Sequence, residues 1–352
     1  MNTTRRGFLK VTGGAAVTAS FFPGVITGSK SGSAPAVVGE GDFRYACRHG
    51  WGELPGHIQW TDTHGVAIDG EGLIYVKHRG GGDTPMDTIV VFDTAGKYVR
   101  SFGKEYFGGG HGIDVRREGN QEFLYLSDTK GKVAKTTLTG EQVWVKTAPN
   151  ATGYYNAAAP GQGRFSPTNI AFRPDGGYYV ADGYGSNYIH EYDKDDRWVR
   201  SWGGTGMRPG LMRTPHSIWL DDRQGRELQL VVADRANARL QYFTLEGRHA
   251  GFVDAVSFPA DFDVRGDVLL VPDLHARVTL FDLENRVIAH LGYDPAWTER
   301  ALGNNFEMRG RPDLWEDGRF IHPHDACFDR DGNIYVAEWV ASGRVSFLER
   351  LS

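Results

Sequence analysis

Apolar and polar residues alternate along this chain in short runs with a period of two. In residues 63–76, Val66 and Ile68 mark the period before an Asp-Gly pair, and Leu73 and Tyr75 mark it afterwards. A period of two places successive side chains on opposite faces of a β-strand, whereas a helix requires apolar residues three and four positions apart. An Asp-Gly pair between two such runs is typical of a β-hairpin. The pattern therefore predicts strands joined by tight turns.

The same pattern repeats six times. The residues that open the first strand of each unit are spaced 44 to 64 residues apart, and they are His64, His111, Thr168, His216, Ala260 and His324. This spacing is that of a four-stranded blade with variable loops, so we predict an all-β, six-bladed β-propeller. The sixth unit ends after its third strand, which begins at Arg344. We expect residues 42–47 to supply the missing strand and to close the ring, which removes an open sheet edge. The propeller is predicted to extend over residues 37–352.

The first 36 residues read as a signal peptide. Arg5 and Arg6 form a twin-arginine motif, a small-residue apolar stretch follows at about 11–28, and residues 34–36 offer an Ala-x-Ala cleavage site. The sequence thus predicts recognition by the twin-arginine export machinery and a periplasmic or secreted protein. No cysteine comes directly after the apolar stretch and no later apolar run reaches transmembrane length, so we expect no membrane anchor in the mature chain.

Composition narrows the range of partners. The net charge is −5 and basic residues do not cluster, so neither nucleic acid nor a membrane surface is expected as a partner. The 47 glycines and the aromatic fraction of 12% suit a fold of short strands and tight turns. Cys47 and Cys327 are the only cysteines. They could form one disulfide or remain as two buried thiols, and the sequence leaves both open.

Three histidines carry the candidate chemistry. Because the first strand of each blade lines the central channel, His111, His216 and His324 on alternate blades should lie about 120° apart and converge on the axis. Three imidazoles with a fourth position left open form a catalytic type of zinc site. His64 has the same position on the first blade, where it could support a ligand, contact a substrate or merely pack. Asp325 could orient a ligand or bind a hard cation.

Acidic residues end the second strand of every blade except the first. We interpret them as caps of turns rather than as catalytic groups, and they are Asp128, Asp182, Asp234, Asp273 and Glu338.

Nearly the whole mature chain resembles the NHL-type propellers, and more closely the peptidyl-α-hydroxyglycine α-amidating lyases. The resemblance rests on the segments GHGIDV, TPHSIWL and HPHDA, which hold the three histidines, and on YVKHRG, VADGYGSNYI and VADRANARLQYF. It implies that the three histidines bind Zn²⁺. It further implies active-site roles for Arg79, Tyr184 and Arg235, and a structural Ca²⁺ held by the main-chain carbonyls of Val66 and Ile113 with the carboxylate of Asp325.

The chain departs from the family pattern at three positions. Gly185 replaces a cysteine, so the local disulfide of the family is absent; His322 replaces a methionine, and His64 replaces a small residue. We expect the two histidine replacements to affect substrate binding.

The resemblance implies a metal-dependent carbon–nitrogen lyase acting on a small-molecule or peptide substrate. It would cleave an α-hydroxyglycine-like carbinolamide into an amide and glyoxylate or a related α-keto acid. Tyr184 is the candidate base, and Arg79 or Arg235 is the candidate clamp for the substrate carboxylate. Two alternatives are a non-catalytic propeller that binds a protein or small molecule, and a six-bladed lactone hydrolase, which would favour carboxylate and amide ligands over three histidines.

Overall fold

The computed structural model describes residues 34–155 and 163–351, apart from the side chain of Asn304. Residues from Pro35 onward form one compact unit. The twin-arginine motif and the apolar stretch lie outside the described residues, so the export signal stays a prediction. Within the described ranges, no helix is long and apolar enough to cross a membrane.

Within the ranges that the structure describes, the unit contains twenty-five strands and one α-helix. The strands that precede the first blade are β1 (Ala36–Val38) and β2 (Tyr45–His49). The first blade contains β3 (Thr63–Ile68), β4 (Ile74–His78), β5 (Ile89–Phe92) and β6 (Tyr98–Phe102). The second contains β7 (Gly110–Glu118), β8 (Gln121–Asp128), β9 (Lys132–Thr137) and β10 (Gln142–Lys146). The third contains β11 (Asn169–Phe172), β12 (Tyr178–Ala181), β13 (Tyr188–Tyr192) and β14 (Trp198–Gly203).

The remaining blades follow the same order. The fourth contains β15 (Pro215–Asp221), β16 (Gln229–Asp234), β17 (Arg239–Phe243) and β18 (His249–Val253). The fifth contains β19 (Asp263–Arg265), β20 (Val268–Asp273), β21 (Arg277–Phe281) and β22 (Val287–Leu291). The sixth contains β23 (Pro323–Phe328), β24 (Ile334–Glu338) and β25 (Arg344–Arg350). Short 3-10 turns occupy Lys104–Tyr106, Asn150–Thr152, Arg235–Asn237, Glu307–Gly310 and Pro312–Leu314.

Six antiparallel sheets arranged as a ring confirm the predicted six-bladed propeller. In every sheet the first strand of the blade lies at one edge, and five of the six neighbouring pairs of these edge strands are in contact around the channel. The fourth and fifth blades meet instead through Ala260 and Asp261, just before β19, which accept hydrogen bonds from β15. Apolar clusters fill the space between blades. One cluster joins Ala171 and Tyr179 of the third blade to Ile218, Leu230 and Phe243 of the fourth, all at most 2% exposed. Burial of such faces on both sides of each blade is the main stabilisation of the ring.

An N-terminal strand closes the ring, as predicted. β2 pairs antiparallel with β25, with Cys47 opposite Leu348, and it supplies the fourth strand of the sixth blade. The strand spans Tyr45–His49, slightly later than the expected residues 42–47. β1 then adds a fifth, outermost strand that the sequence did not predict.

The two cysteines are free thiols. Cys47 lies on β2 and Cys327 on β23, and β25 and β24 separate these strands within the sheet. Three strand spacings of about 4.8 Å keep the two residues roughly 14 Å apart, well beyond the reach of a disulfide.

The α-helix α1 (Pro295–Phe306) lies in the long connection between the fifth and sixth blades. Its Trp297 is buried and donates Nε1–H to the Phe320 carbonyl at 2.6 Å. Trp297 packs with Ala276 and Val340, which follow the second strands of those two blades. The helix thus packs on the face of the propeller where the second strands of the fifth and sixth blades end.

The acids that end the second strands cap turns, as expected. Asp128 accepts a hydrogen bond from Lys130 N, and Asp182 accepts from Ser166 N and Ser186 N. The equivalent acids in the next three blades accept a main-chain N–H from the segment that leads into the first strand of the same blade, and they are Asp234, Asp273 and Glu338. Glu338 also forms a buried, bidentate ion pair with Arg344, at 2.7 Å for each contact.

Candidate active site

Irregular strand pairing aims four histidines into the channel. The register of the first and second strands shifts at Thr63/Gly65, Gly110/Ile113, Pro215/Ile218 and Pro323/Asp325. Each shift contains one histidine that opens a blade: His64, His111, His216 or His324. A β-bulge leaves a residue unpaired and re-aims its side chain, which explains how these imidazoles leave the strand ladder and reach the axis.

The structure brings together the three histidines predicted from alternate blades. One nitrogen from each of His111, His216 and His324 lies within 4.8 Å of the other two, and all three side chains are buried. Their ring centroids are 4.6 to 4.8 Å apart. We call this set the histidine tripod. Among the described residues it is the one cluster of histidine, cysteine or acidic side chains with this geometry.

Main-chain carbonyls orient every ring of the tripod. Each Nδ1–H donates to the carbonyl of the residue that opens the next blade: His111 to Thr168 at 2.8 Å, His216 to Ala260 at 2.7 Å, and His324 to His64 at 2.7 Å. A histidine that donates from Nδ1 presents the lone pair of Nε2, the arrangement usual in metal sites. Gly112 permits the close approach in the first case, because a Cβ there would lie 2.6 Å from the Thr168 oxygen.

The Nε2 atoms of the tripod fit a metal ion. Those of His111 and His324 are buried without any hydrogen-bond partner, and that of His216 contacts only the Tyr184 hydroxyl, at 2.9 Å. Burial lowers the pKa of all three imidazoles well below 6.5, and the nearby Arg235 guanidinium lowers the pKa further. Three neutral, converging imidazole nitrogens are the donor set that zinc takes in catalytic sites.

Tyr184 and Arg235 adjoin the tripod. Because His216 donates a hydrogen bond from Nδ1, its Nε2 accepts a hydrogen bond from the Tyr184 hydroxyl. Arg235 donates a hydrogen bond from a terminal nitrogen to the same phenol oxygen at 3.1 Å. Arg235 is 3% exposed and also donates to the Pro259 carbonyl, while its second terminal nitrogen is buried without a partner. Burial lowers the pKa of Arg235. Arg235 is thus held against Tyr184 and keeps one terminal nitrogen without a hydrogen-bond partner among the described residues.

A pocket of about 400 Å³ opens beside the tripod. Its wall includes His64, His111, Tyr184 and Arg79, which were predicted, and Lys130 and Trp339, which were not. Arg79 is exposed, and its Nε donates to the Gly108 carbonyl at 3.3 Å. The same short segment, one to three residues after the second strand ends, supplies Arg79, Lys130, Tyr184, Arg235 and Trp339. Alignment of this position across the six units is the signal that could have identified Lys130 and Trp339.

The two remaining histidines predicted at the site occupy different positions. His64 borders the pocket, its ring centroid is 4.6 Å from that of His324, and burial lowers its pKa to about 3. His322 is fully buried, donates Nδ1–H to the Leu274 carbonyl, and packs against Phe306 and Trp339. His322 therefore reaches the pocket only through Trp339.

The residues predicted to bind calcium come one or two positions after histidines that open blades. Asp325 Oδ2 accepts a hydrogen bond from Val66 N at 2.8 Å, and Ile113 packs against Gly65 on the neighbouring strand. Burial and the nearby Asp261 raise the pKa of Asp325 well above its usual value. The structure thus places Val66 beside Asp325, and calcium binding stays a prediction.

No family model matches the chain. Among curated relatives, peptidyl-glycine alpha-amidating monooxygenase B of Xenopus laevis is 32% identical over 276 residues, which are 74% of this chain and 29% of that protein. Peptidyl-glycine alpha-amidating monooxygenase A of Xenopus laevis is 32% identical over 182 residues, which are 48% of this chain and 18% of that protein. Peptidyl-alpha-hydroxyglycine alpha-amidating lyase 1 of Drosophila melanogaster is 28% identical over 297 residues, which are 79% of this chain and 51% of that protein. The chain spans about half or less of the length of each relative.

Solved structures share the fold at low identity. A streptogramin B lyase superposes with a TM-score of 0.54 at 12% identity, over 86% of this chain and 97% of that one. A catalytically inactive virginiamycin B lyase from Staphylococcus aureus, solved with quinupristin, gives a TM-score of 0.53 at 12% identity over 87% and 100%. At this identity the likeness supports the propeller fold alone.

Proposed function

We propose that this chain, which belongs to the family of NHL-type propellers similar to peptidyl-α-hydroxyglycine α-amidating lyase, is a metal-dependent carbon–nitrogen lyase. The substrate is a carbinolamide of the α-hydroxyglycine type. The products are an amide and glyoxylate or a related α-keto acid. Zn²⁺ is the proposed metal, and Ca²⁺ is proposed for the separate site at Asp325, Val66 and Ile113.

One observation carries the proposal: a buried histidine tripod, in which Nε2 of His111 and of His324 has no hydrogen-bond partner, adjoins a tyrosine that is held by a buried arginine. A tripod with an open side is typical of catalytic rather than closed structural zinc sites. A binding propeller with structural metal would need neither the open pocket nor the Tyr184–Arg235 contact. A lactone hydrolase is disfavoured because its carboxylate and amide ligands are replaced here by imidazoles.

The reaction needs two proton movements and one bond cleavage. The substrate hydroxyl loses its proton, the carbon–nitrogen bond breaks as the carbonyl of the α-keto acid forms, and the departing amide nitrogen gains a proton. A bound zinc ion would hold the substrate hydroxyl and make it more acidic. His111, His216 and His324 would hold the ion through Nε2.

Tyr184 is proposed as the base that takes the hydroxyl proton. Its phenol oxygen accepts a hydrogen bond from the cationic Arg235, which stabilises negative charge on that oxygen. Tyr184 is 37% exposed at the pocket, so a substrate can reach it. Arg79 is proposed to clamp the substrate carboxylate, because its terminal guanidinium nitrogens have no hydrogen-bond partner among the described residues.

A glyoxylate assay tests the reaction. Zinc-loaded protein incubated with a peptide ending in α-hydroxyglycine should release glyoxylate, and Tyr184→Phe should reduce kcat by a factor of about 10² or more. Tyr293→Phe is the matched control, because Tyr293 is similarly exposed, at 40%, but does not line this pocket. If wild type releases glyoxylate no faster than Tyr184→Phe does, the proposed lyase activity is rejected.

Metal analysis tests the tripod independently of activity. Purified His216→Ala should lose most of its zinc, whereas His290→Ala, which alters a half-buried histidine of β22, should retain it. Full zinc retention by His216→Ala would show that the tripod is not the metal site.

Export is proposed on the leader sequence alone. Wild-type protein should be found in the periplasm or the medium, and replacement of Arg5 and Arg6 by lysine should retain it in the cytoplasm. Equal export of the two forms would reject the twin-arginine route.

A further inference from the structure

The pocket beside the tripod carries more positive charge than one carboxylate requires. Three of its wall residues are cationic, Arg79, Lys130 and Arg164, and none of its wall residues within the described ranges is acidic. None of the three cations forms an ion pair with a described carboxylate. A cleft lined by one sign of charge concentrates ligands of the opposite sign.

Hydrogen bonds hold these cations along one continuous wall. Lys130 Nζ donates to the Phe107 carbonyl at 2.6 Å, next to the Gly108 carbonyl that Arg79 contacts. The loop of Lys130 is joined to the loop of Arg164 by a bond from Ser166 Oγ to the Thr129 carbonyl at 2.7 Å.

Arg164 completes the wall at the tyrosine. It donates to the Tyr184 carbonyl at 2.9 Å, and the side chain of Tyr184 reaches His216. Carboxylates near these cations have other partners: Asp62 pairs with Arg309, and Asp128 lies 3.7 Å from Lys132 Nζ. Asp182 accepts two main-chain N–H groups and the Tyr155 hydroxyl.

We infer that the substrate carries a second anionic group, which Lys130 and Arg164 bind while Arg79 binds the α-carboxylate. This inference rests on the proposed function. The pocket volume of about 400 Å³ is that of a small-molecule site, so the second anion must lie close to the reacting carbon. The substrate class is therefore an acidic N-acyl-α-hydroxyglycine, such as a peptide with Glu or Asp directly before the hydroxyglycine.

Matched substrates test this class. Two peptides that differ only in Glu or Gln before the terminal α-hydroxyglycine are compared by kcat/KM with wild type and with the double variant Lys130→Gln/Arg164→Gln. Wild type should prefer the Glu peptide by about tenfold, the effect expected for partly exposed charges at contact. The preference should shrink as ionic strength rises from about 0.05 to about 0.5 M, because the Debye length falls from roughly 14 to roughly 4 Å.

The double variant should lose the preference. Lys194→Gln is the control, because Lys194 lies in the β13–β14 turn on the opposite face of the ring and should leave the ratio of the two peptides unchanged. Turnover of both peptides at equal kcat/KM by wild type would identify Lys130 and Arg164 as solvated surface charges and overturn this inference, while the lyase would stand. Turnover of neither peptide would overturn the proposed function and the substrate class together.

Discussion

The histidine tripod should bind zinc almost as tightly at about pH 5.5 as at about pH 7.5. A proton competes with zinc for each Nε2, so affinity declines only below the pKa of the ring in the metal-free, folded protein. Burial lowers the pKa of His111, His216 and His324 well below 6.5, and Arg235 and the neighbouring imidazoles lower it further. The rings are therefore already neutral across this pH range, and no proton has to leave before zinc binds.

The expected contrast is large. Three imidazoles with an ordinary pKa of about 6.5 would each be neutral in about one molecule of eleven at pH 5.5, so a solvent-exposed tripod would lose affinity by about 10³-fold. The buried tripod should lose less than about threefold. Metal-stripped protein can be titrated at both pH values against a chromophoric chelator of known zinc affinity. A loss on the order of 10³-fold would refute the reasoning, because it would mean that water reaches the rings and that burial does not set their protonation.

A thermal measurement provides a second readout. Free zinc at about 1,000 times the dissociation constant stabilises the folded state by about 4 kcal/mol. For a unit of about 320 residues this corresponds to a rise of about 6 °C in the melting temperature. The rise should be nearly equal at the two pH values, and its disappearance at the lower one would contradict the prediction.

Three further changes have defined outcomes. Arg79→Ala should raise KM by about tenfold or more and change kcat less, because Arg79 lies at the pocket rather than at the tripod; a change confined to kcat would contradict the clamp. Cys47 and Cys327 should both react with a thiol reagent in unfolded, unreduced protein, and failure of both to react would indicate a disulfide. Arg344→Met should lower the free energy of unfolding in urea by about 3–5 kcal/mol, because it leaves Glu338 buried and unpaired; the double variant with Glu338→Gln should recover part of that loss, and equal losses would show that the pair itself is not the cause.

The sequence was sufficient to predict the propeller, because the fold repeats. Period-two alternation recurs in every unit, and each blade opens a few residues before the turn that joins its first two strands. That position lies at the axis of any propeller, so the convergence of His111, His216 and His324 could be expected without coordinates. The closing strand followed from the same logic, since a blade with three strands leaves an open edge.

The pocket walls could not be predicted with the same certainty. They come from connections between strands, where length varies and no periodic pattern indicates packing. Trp339 reaches the pocket beside a segment after α1, where Arg309 lies over its ring at 3.4 Å and donates to its carbonyl. The contact of Arg235 with Tyr184 likewise joins two blades through loops. Such contacts depend on tertiary packing, and the local sequence does not specify them.

The tripod depends on closure of the whole ring. Each imidazole belongs to one blade and donates a hydrogen bond to a carbonyl of the next blade. The three hydrogen bonds therefore connect blade two to blade three, blade four to blade five, and blade six to blade one. The last of these contacts, from His324 Nδ1 to the His64 carbonyl, crosses the seam between the end and the beginning of the ring. β2 completes the sixth blade at the same seam by pairing with β25. If the ring does not close there, His324 loses the carbonyl that orients its imidazole, and only His111 and His216 remain oriented. Metal binding and ring closure should therefore stabilise each other, because both require the sixth and first blades to be in contact.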